Sequence, residues 1–220
     1  MYDYSNQGVF TPSVGAQLRL PASLRWTLFS ILKRGFDIFL SLAMLPVLGM
    51  IAVTLLVLNP FLNKGSLLFV QPRMGRDCRS FRAYKFRTMS AAAGVTRGPN
   101  DPLEHDRITP LGRFLRRSRL DEVPQILNVL KGDMSLIGPR PDYYDHAVAY
   151  LDVVQGYRER HMVRPGISGL AQTEVGYVEG IEATRRKVQA DLYYITHAGF
   201  GLEAWIFWRT LLTVFGRCGA

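Results

Sequence analysis

The sequence predicts an α+β protein: a helix-rich body with one short strand pair, carrying a membrane-inserted helix. The first sign is the stretch from Ile38 to Leu58, which has no charged residue and is apolar almost throughout. The second is the recurrence of apolar residues at helical spacing in most segments beyond Arg119. The third is that strand-like runs of β-branched and aromatic residues are confined to residues 66–89.

The 220 residues suit one domain with an appendage. Residues 1–24 are polar, contain Gly, Ser and Pro, and show no period, which reads as a loose arm. A signal peptide is not expected, because the apolar run starts too late and lacks a small-residue cleavage site. Residues 25–62 form the membrane element. Its apolar run has the roughly 20 residues that cross a bilayer, so a spanning helix is the default. Two features favour a re-entrant helix, which enters one leaflet, bends and returns. Pro46 and Gly49 interrupt the run, and a proline removes one backbone hydrogen bond and bends a helix. Basic residues also flank both ends, with Arg25, Lys33 and Arg34 before the run and Lys64, Arg73, Arg76, Arg79 and Arg82 after it. The positive-inside tendency then places both ends in the cytoplasm. Asp37, at the mouth of the run, reads as an (i, i+3) partner of Arg34.

Residues 63–220 make the body. Ser66–Val70 and Arg79–Met89 read as strands around a turn at Met74–Asp77, a hairpin that presents Arg73, Lys85 and Arg87. Residues 90–104 carry Gly-Pro-Asn and Asp-Pro breakers and read as loop. Leu120, Val123, Ile126, Leu127 and Leu130 share a helical face, followed by a tight turn at Gly138–Pro141. Asp142–Met162 is expected as an amphipathic helix with Val148, Leu151 and Val154 in phase, and Glu182–Thr196 as another. Leu202–Phe215 is apolar nearly all round and too short to span. Its Trp205 and Trp208 suit a membrane interface, and a buried core helix fits equally well.

The charge bounds the partners. With 27 Lys and Arg against 18 Asp and Glu, the formal charge is +9, which suits nucleic acid, an anionic membrane surface or phosphorylated substrates. No zinc finger, RNP-type strand or basic heptad array accompanies it, so nucleic acid is not expected. Cys78 and Cys218 lack motif spacing, and His105, His146, His161 and His197 are scattered and read as structural. There is no Walker or dinucleotide glycine loop and no Asp-x-Asp metal motif. The densest constellation is Asp121-Glu122 behind Arg116, Arg117 and Arg119. The bland reading is that two acids at a helix start tune its dipole. Yet Arg107, Arg113, Arg116, Arg117 and Arg119 have no acid between them. That suits an anionic ligand, with a metal ion between ligand and carboxylate.

Several local motifs then line up: Lys33-Arg34-Gly35-Phe36-Asp37, Tyr84–Met89, Asp106–Thr109, Leu120–Gln125, Asn128–Ser135, Gly138-Pro139-Arg140-Pro141 and Arg164–Gly169. Together and in this order they resemble the bacterial sugar transferase family, from Lys33 to about Val214. These are monotopic phosphoglycosyl transferases that start glycan assembly on a polyprenyl phosphate. The resemblance implies a protein on the cytoplasmic face of the inner membrane, in contact with membrane lipid. It would move a sugar-1-phosphate from a nucleotide diphosphate sugar, expected to be a UDP-sugar, to a polyprenyl phosphate acceptor. Asp121 matches the family's nucleophile and Glu122 its dyad partner, with Mg²⁺ held between them and the diphosphate. Arg140 is the foremost expected phosphate clamp, followed by Lys85 and Arg87, with Arg116, Arg117 and Arg164 as further contacts and Gln172 toward the nucleotide. A homodimer is left as an open expectation. Two departures stand out. Gly49-Met50 occupies the place of the family's usual Ser-Pro break, with Pro46 one turn earlier. Thr173-Glu174-Val175-Gly176 replaces the usual Asn-Gly-Arg-Asn after the glutamine. A catalytically inactive scaffold and a basic lipid-binding protein are the rival readings; the intact Asp-Glu pair disfavours the first.

Overall fold

The computed structural model describes residues 24–90, 105–174 and 180–215. Expectations for the arm, for nearly all of residues 90–104, for Val175-Gly176 and for Cys218 lie outside the described residues. Two helices open the fold, α1 (Leu24–Ala43) and α2 (Leu45–Leu62), separated by the single turn residue Met44. Pro46 sits in the first turn of α2, where it has no N–H to give the Leu42 carbonyl. On either side of that gap Met44 donates to Leu40 (3.0 Å) and Leu48 to Met44 (3.0 Å). Gly49 and Met50 lie within regular helix.

The two helices bury little. Among the described residues of α1, Phe29, Asp37 and Ser41 are buried, while Leu28, Ile31, Leu32, Phe36 and Phe39 are exposed. In α2 only Leu55 and Asn59 are buried. By length and composition α2 could cross a membrane, and it is 11% buried, so it is not an ordinary core helix. Asp37 does not pair with Arg34. Its carboxylate accepts from Ser135 Oγ (2.7 Å) and the Leu136 amide (3.2 Å), with Lys33 one turn back at 3.9 Å. Arg34 turns instead to the Leu130 carbonyl (3.4 Å). Asp37 therefore fastens α1 to the body.

β1 (Leu68–Met74) and β2 (Ser80–Phe86) pair antiparallel, with Leu68 opposite Phe86 and Met74 opposite Ser80. The turn falls at residues 75–79, later than expected, because Gly75 N–H bonds the Arg79 carbonyl (2.8 Å) while Asp77 and Cys78 take positive φ. β2 ends at Phe86, and beyond it only Met89 bridges, to Ile108. α3 (Pro110–Arg117) is capped by Thr109, whose Oγ1 accepts from the Gly112 amide (2.9 Å). A side chain at Gly112 would overlap the Thr88 carbonyl.

α4 (Gln125–Lys131) stops at Gly132, whose φ of 93° favours glycine. β3 (Ser135–Ile137) and β4 (Gly166–Ser168) form a second, parallel pair, where the sequence predicts a single strand pair. Three-residue strands with Ser and Gly are too short to show alternation. α5 (Tyr144–Val153) stops well before Met162, because the chain turns through Gly156 at φ 80° before a 3₁₀ turn at Glu159–Met162. α6 (Leu170–Glu174), α7 (Ile181–His197) and α8 (Phe200–Phe215) complete the order. α7 is central: Val188 packs with Met74, Ala147, Val154 and Tyr157, and Tyr194 and Ile195 pack with Ile137, Leu170 and Ile206. A third cluster, Leu55, Phe86 and Leu115, ties α2 to β2 and α3. α8 is not a fully buried core helix, since Ile206 is buried while Phe200, Trp205, Phe207 and Trp208 are exposed.

Candidate active site

Asp121 and Glu122 do not start the helix that follows them. They occupy a separate 3₁₀ turn, Leu120–Glu122, between Arg119 at φ 57° and Pro124, which caps α4. Arg119 is a left-handed non-glycine residue, a conformation that carries strain unless its surroundings enforce it. The turn reverses the chain so that both carboxylates point inward, at 7% and 6% exposure. Three elements converge on Glu122. Lys85 from β2 donates to Oε1 (2.6 Å). Arg140, from the turn after β3, grips both oxygens, Nη1 on Oε2 (3.1 Å) and Nη2 on Oε1. Arg119 lies 3.9 Å from Oε2. Asp121 is the opposite case: its Oδ1 is buried and accepts no hydrogen bond.

The charges follow from these contacts. Burial works against ionising Glu122, but Arg140 and Lys85 overrule it and hold the carboxyl well below the usual carboxylate range. Burial pushes Asp121 up, with Lys85 opposing and Glu122 adding to the rise. Burial brings Lys85 down to about 8 against the pull of Glu122. One carboxylate is thus a fixed anchor and the other keeps a desolvated, uncommitted oxygen. A desolvated carboxylate is the better nucleophile, and the flanking cations suit an incoming diphosphate.

A family model described as bacterial sugar transferase matches residues 28–217. The chain belongs to that family. Similar proteins include the UDP-N-acetylgalactosamine-undecaprenyl-phosphate N-acetylgalactosaminephosphotransferase of Aeromonas hydrophila, 38% identical over 194 residues that cover 88% of this chain and 46% of that protein. The exopolysaccharide production protein PSS of Rhizobium leguminosarum bv. phaseoli is 36% identical, over 85% of this chain and 96% of its own. The UDP-glucose:undecaprenyl-phosphate glucose-1-phosphate transferase of Escherichia coli (strain K12) is 38% identical, over 84% of this chain and 39% of its own. The chain thus spans less than half of two of these relatives and nearly all of the third.

Within this member of the bacterial sugar transferase family, the sequence-derived site residues separate into two groups. Arg140, Lys85 and Arg116 gather around the Asp-Glu pair; Arg116 donates to Thr88 (3.0 Å) and its charge reaches Asp121. The others make their contacts elsewhere. Arg87 bonds Ser66 (2.8 Å) beside the α2–β1 link. Arg117 is exposed on α3. Arg164 donates to Gly132 (2.9 Å), and Gln172 lies in α6 with a buried Oε1 that finds no partner. The magnesium expectation meets a specific geometry. Both oxygens of Glu122 are taken by cations, so it could bind a metal only by releasing Arg140 or Lys85. Asp121 Oδ1 is open, and one carboxylate plus phosphate oxygens suits magnesium.

Two supports escaped the sequence reading. Asn128 accepts from the Tyr84 amide (3.0 Å) and donates to the Arg82 carbonyl (2.7 Å), fixing β2 and hence Lys85 against α4. Arg160, 1% exposed, donates to the Arg140 carbonyl (2.8 Å), to Asp142 (2.6 Å) and to Asp191 (2.8 Å). Lys187 and Tyr157 also bond Asp142, and Arg73 grips the Pro141 carbonyl (2.6 Å). The Gly-Pro-Arg-Pro turn is therefore held from both sides. The signal available in the sequence was the placement of Asp142 directly after that turn.

Proposed function

We propose that the protein is a phosphoglycosyl transferase that moves a sugar-1-phosphate from a UDP-sugar to undecaprenyl phosphate through a covalent intermediate on Asp121. The observation that carries this is the asymmetry of the pair: Glu122 is locked by Arg140 and Lys85, while Asp121 keeps a buried, unpartnered oxygen. Family membership and the names of the relatives support the same reaction class. In the first step Asp121 attacks the sugar-bearing phosphorus, the phosphoanhydride bond breaks, and UMP leaves with the bridging oxygen. In the second, a phosphate oxygen of the polyprenyl acceptor attacks the same phosphorus and Asp121 departs as a carboxylate. Arg140 and Lys85 fix Glu122 and carry positive charge beside the transferred group, with Arg116 behind. Asp121, together with the diphosphate oxygens, would hold magnesium, and the ion would supply neutralisation of the diphosphate charge.

The membrane reading belongs with this one. α1 and α2 expose their apolar faces on either side of the break at Met44 and Pro46, and basic residues flank both. A re-entrant element of residues 25–62 would set the 63–220 body at the headgroup plane of the inner membrane's cytoplasmic face, where a soluble diphosphate meets a lipid phosphate. The decisive experiment withholds acceptor and supplies a UDP-sugar labelled in its β-phosphate, across a panel of sugars. Wild type should retain label covalently and release UMP, and Asp121→Asn should do neither. Retention of more than a few per cent of turnover by Asp121→Asn would remove the covalent step.

A further inference from the structure

Between α1 and the segment Met162–Arg164 lies a cleft of about 250 Å³, and none of Asp121, Glu122, Lys85, Arg116 or Arg140 lines it. Its polar wall brings together arginines from three separate elements: Arg34 on α1, Arg76 in the hairpin turn and Arg164 just before β4. Among the described residues neither Arg34 nor Arg164 forms an ion pair. Each donates to a carbonyl at the C-terminal end of α4, Arg34 to Leu130 (3.4 Å) and Arg164 to Gly132 (2.9 Å). Arg76 has only its neighbour Asp77, at 3.4 Å, and both side chains are more than half exposed, at 53% and 57%. Arg34 Nη1 is buried and has no hydrogen-bond partner.

The nearby acids are already committed. Asp37 serves Ser135, Leu136 and Lys33, and Glu203 serves Lys33 (2.7 Å) and Tyr194 (2.5 Å). Capping of α4 explains one N–H of Arg34 and one of Arg164. It does not explain Arg76 or the meeting of three like charges. Burial holds Arg164 below its ordinary range, and Arg34 and Arg76 push it the same way. The rest of the wall is mixed: Lys33, Asp37 and Ser135, already bound to one another or to Glu203, stand beside apolar Phe29, Ile137 and Val163. Leu28, Ile31 and Leu32, at 56%, 64% and 50% exposure, do not line the cleft and leave the other face of α1 apolar. A recess in which three arginines meet, beside a helix whose outer face is apolar, suits a phosphate group.

We propose that this cleft binds a phosphate group that takes no part in transfer, clasped by Arg34, Arg76 and Arg164. The phosphate is that of an anionic phospholipid headgroup or of a solute. Bound there, it neutralises three cations and ties α1 to the hairpin turn and to the approach to β4. Asp121 does not line this cleft, so its occupancy can be read without turnover.

The full chain in detergent micelles is titrated separately with dihexanoyl phosphatidylglycerol, with inorganic phosphate, with uncharged dihexanoylglycerol and with sodium chloride at matched ionic strength. The readout is the thermal unfolding midpoint. A saturable rise with phosphatidylglycerol, absent with dihexanoylglycerol and sodium chloride, supports the site with a lipid source. A saturable rise with inorganic phosphate supports it with a soluble source. In either case Arg76→Gln and Arg164→Gln should each weaken the apparent affinity about tenfold, the size expected for losing one charge-assisted contact. Arg76→Gln is the stricter variant, because its half-exposed side chain supports no helix end. No saturable rise with either probe, or a rise unchanged in both variants, overturns the proposal.

Discussion

Asp121 and Glu122 differ by one methylene and one chain position, yet neutralising each has a different expected consequence for the fold. Glu122→Gln leaves Arg140 and Lys85 buried without their shared anion, so stability should fall by about 3 kcal/mol. Asp121→Asn removes a buried carboxylate whose Oδ1 has no partner, so its unfolding midpoint should be unchanged or raised. Chemical denaturation of both variants in detergent tests this, and equal losses would mean that the partners are wrongly assigned. A second residue gives a pH signature. Burial, reinforced by Arg160, lowers His161 to about 4, so the folded state holds it neutral while the unfolded chain protonates it near 6.5. The unfolded state then binds more protons between those values. This stability is complete above about pH 6.5 and is lost as pH falls toward 4, by about 3 kcal/mol in all. His161→Gln should flatten that part of the stability profile. The Asp-Glu pair, Lys85 and Arg140 were legible in the sequence because charge clustering and family motifs lie along the chain. Arg160 was not, since its partners stand 18 and 31 positions away and burial cannot be read from a list of residues.

At the scale of elements, periodicity found the longer helices, missed α3 and α6, and misjudged where some of the others stop. The pattern from Asp142 to Met162 keeps Val154 in phase, but the helix stops at Val153 with Val154 extended, and Gly156 at φ 80° then turns the chain before Arg160, which donates to the Arg140 carbonyl. The parallel β3–β4 pair was invisible for a different reason: its specificity lies in close backbone approach rather than in side chains. A side chain at Gly138 would come within 2.7 Å of the Arg164 carbonyl, and one at Gly166 would overlap the Gly138 backbone. The helix expected to start at residue 120 splits at Pro124, which has no N–H to give Leu120, so a 3₁₀ turn precedes α4. These supports predict that Arg160→Met, which keeps bulk and removes charge, destabilises by about 3–5 kcal/mol, because Asp191 loses its ion-pair partner while Asp142 keeps Lys187 and Tyr157. It should also lower kcat in the molecules that remain folded, because the Arg140 turn loses its inner hold. Stability and single-turnover rate measured on the same preparation check both halves.

At the scale of the whole molecule, an apolar helical pair adjoins a basic body, and on the proposed re-entrant reading the break between its arms would set the topology. Pro46→Leu restores an N–H able to reach Leu42, favouring a straight helix by roughly 3 kcal/mol or more. The far end, with Lys64 and Arg73, would then be driven across the bilayer against its charge. A mixed population with part of the protein inverted and overall activity reduced is expected. Cysteine labelling at residue 10 and at Ala220 in intact spheroplasts measures it. An inverting Gly49→Leu beside a same-sided, fully active Pro46→Leu would move the bend to the family's usual place. The apolar run and its basic flanks were plain in the sequence, whereas the anchoring of α1 to β3 through Asp37 was not.

The hold of Arg160 and Asp191 on the Arg140 turn also fixes an order in time. During synthesis the apolar helices emerge first and Asp121-Glu122 next, while Asp191 follows 69 positions after Glu122. At about 5–20 residues per second, several seconds separate them. On the membrane reading proposed above, the chain could lodge in lipid throughout that interval, while the clamp on Glu122 lacks its final brace. The nascent protein would then reach its membrane before it is competent, and a ribosome that stalls before residue 191 would leave an anchored but inert fragment.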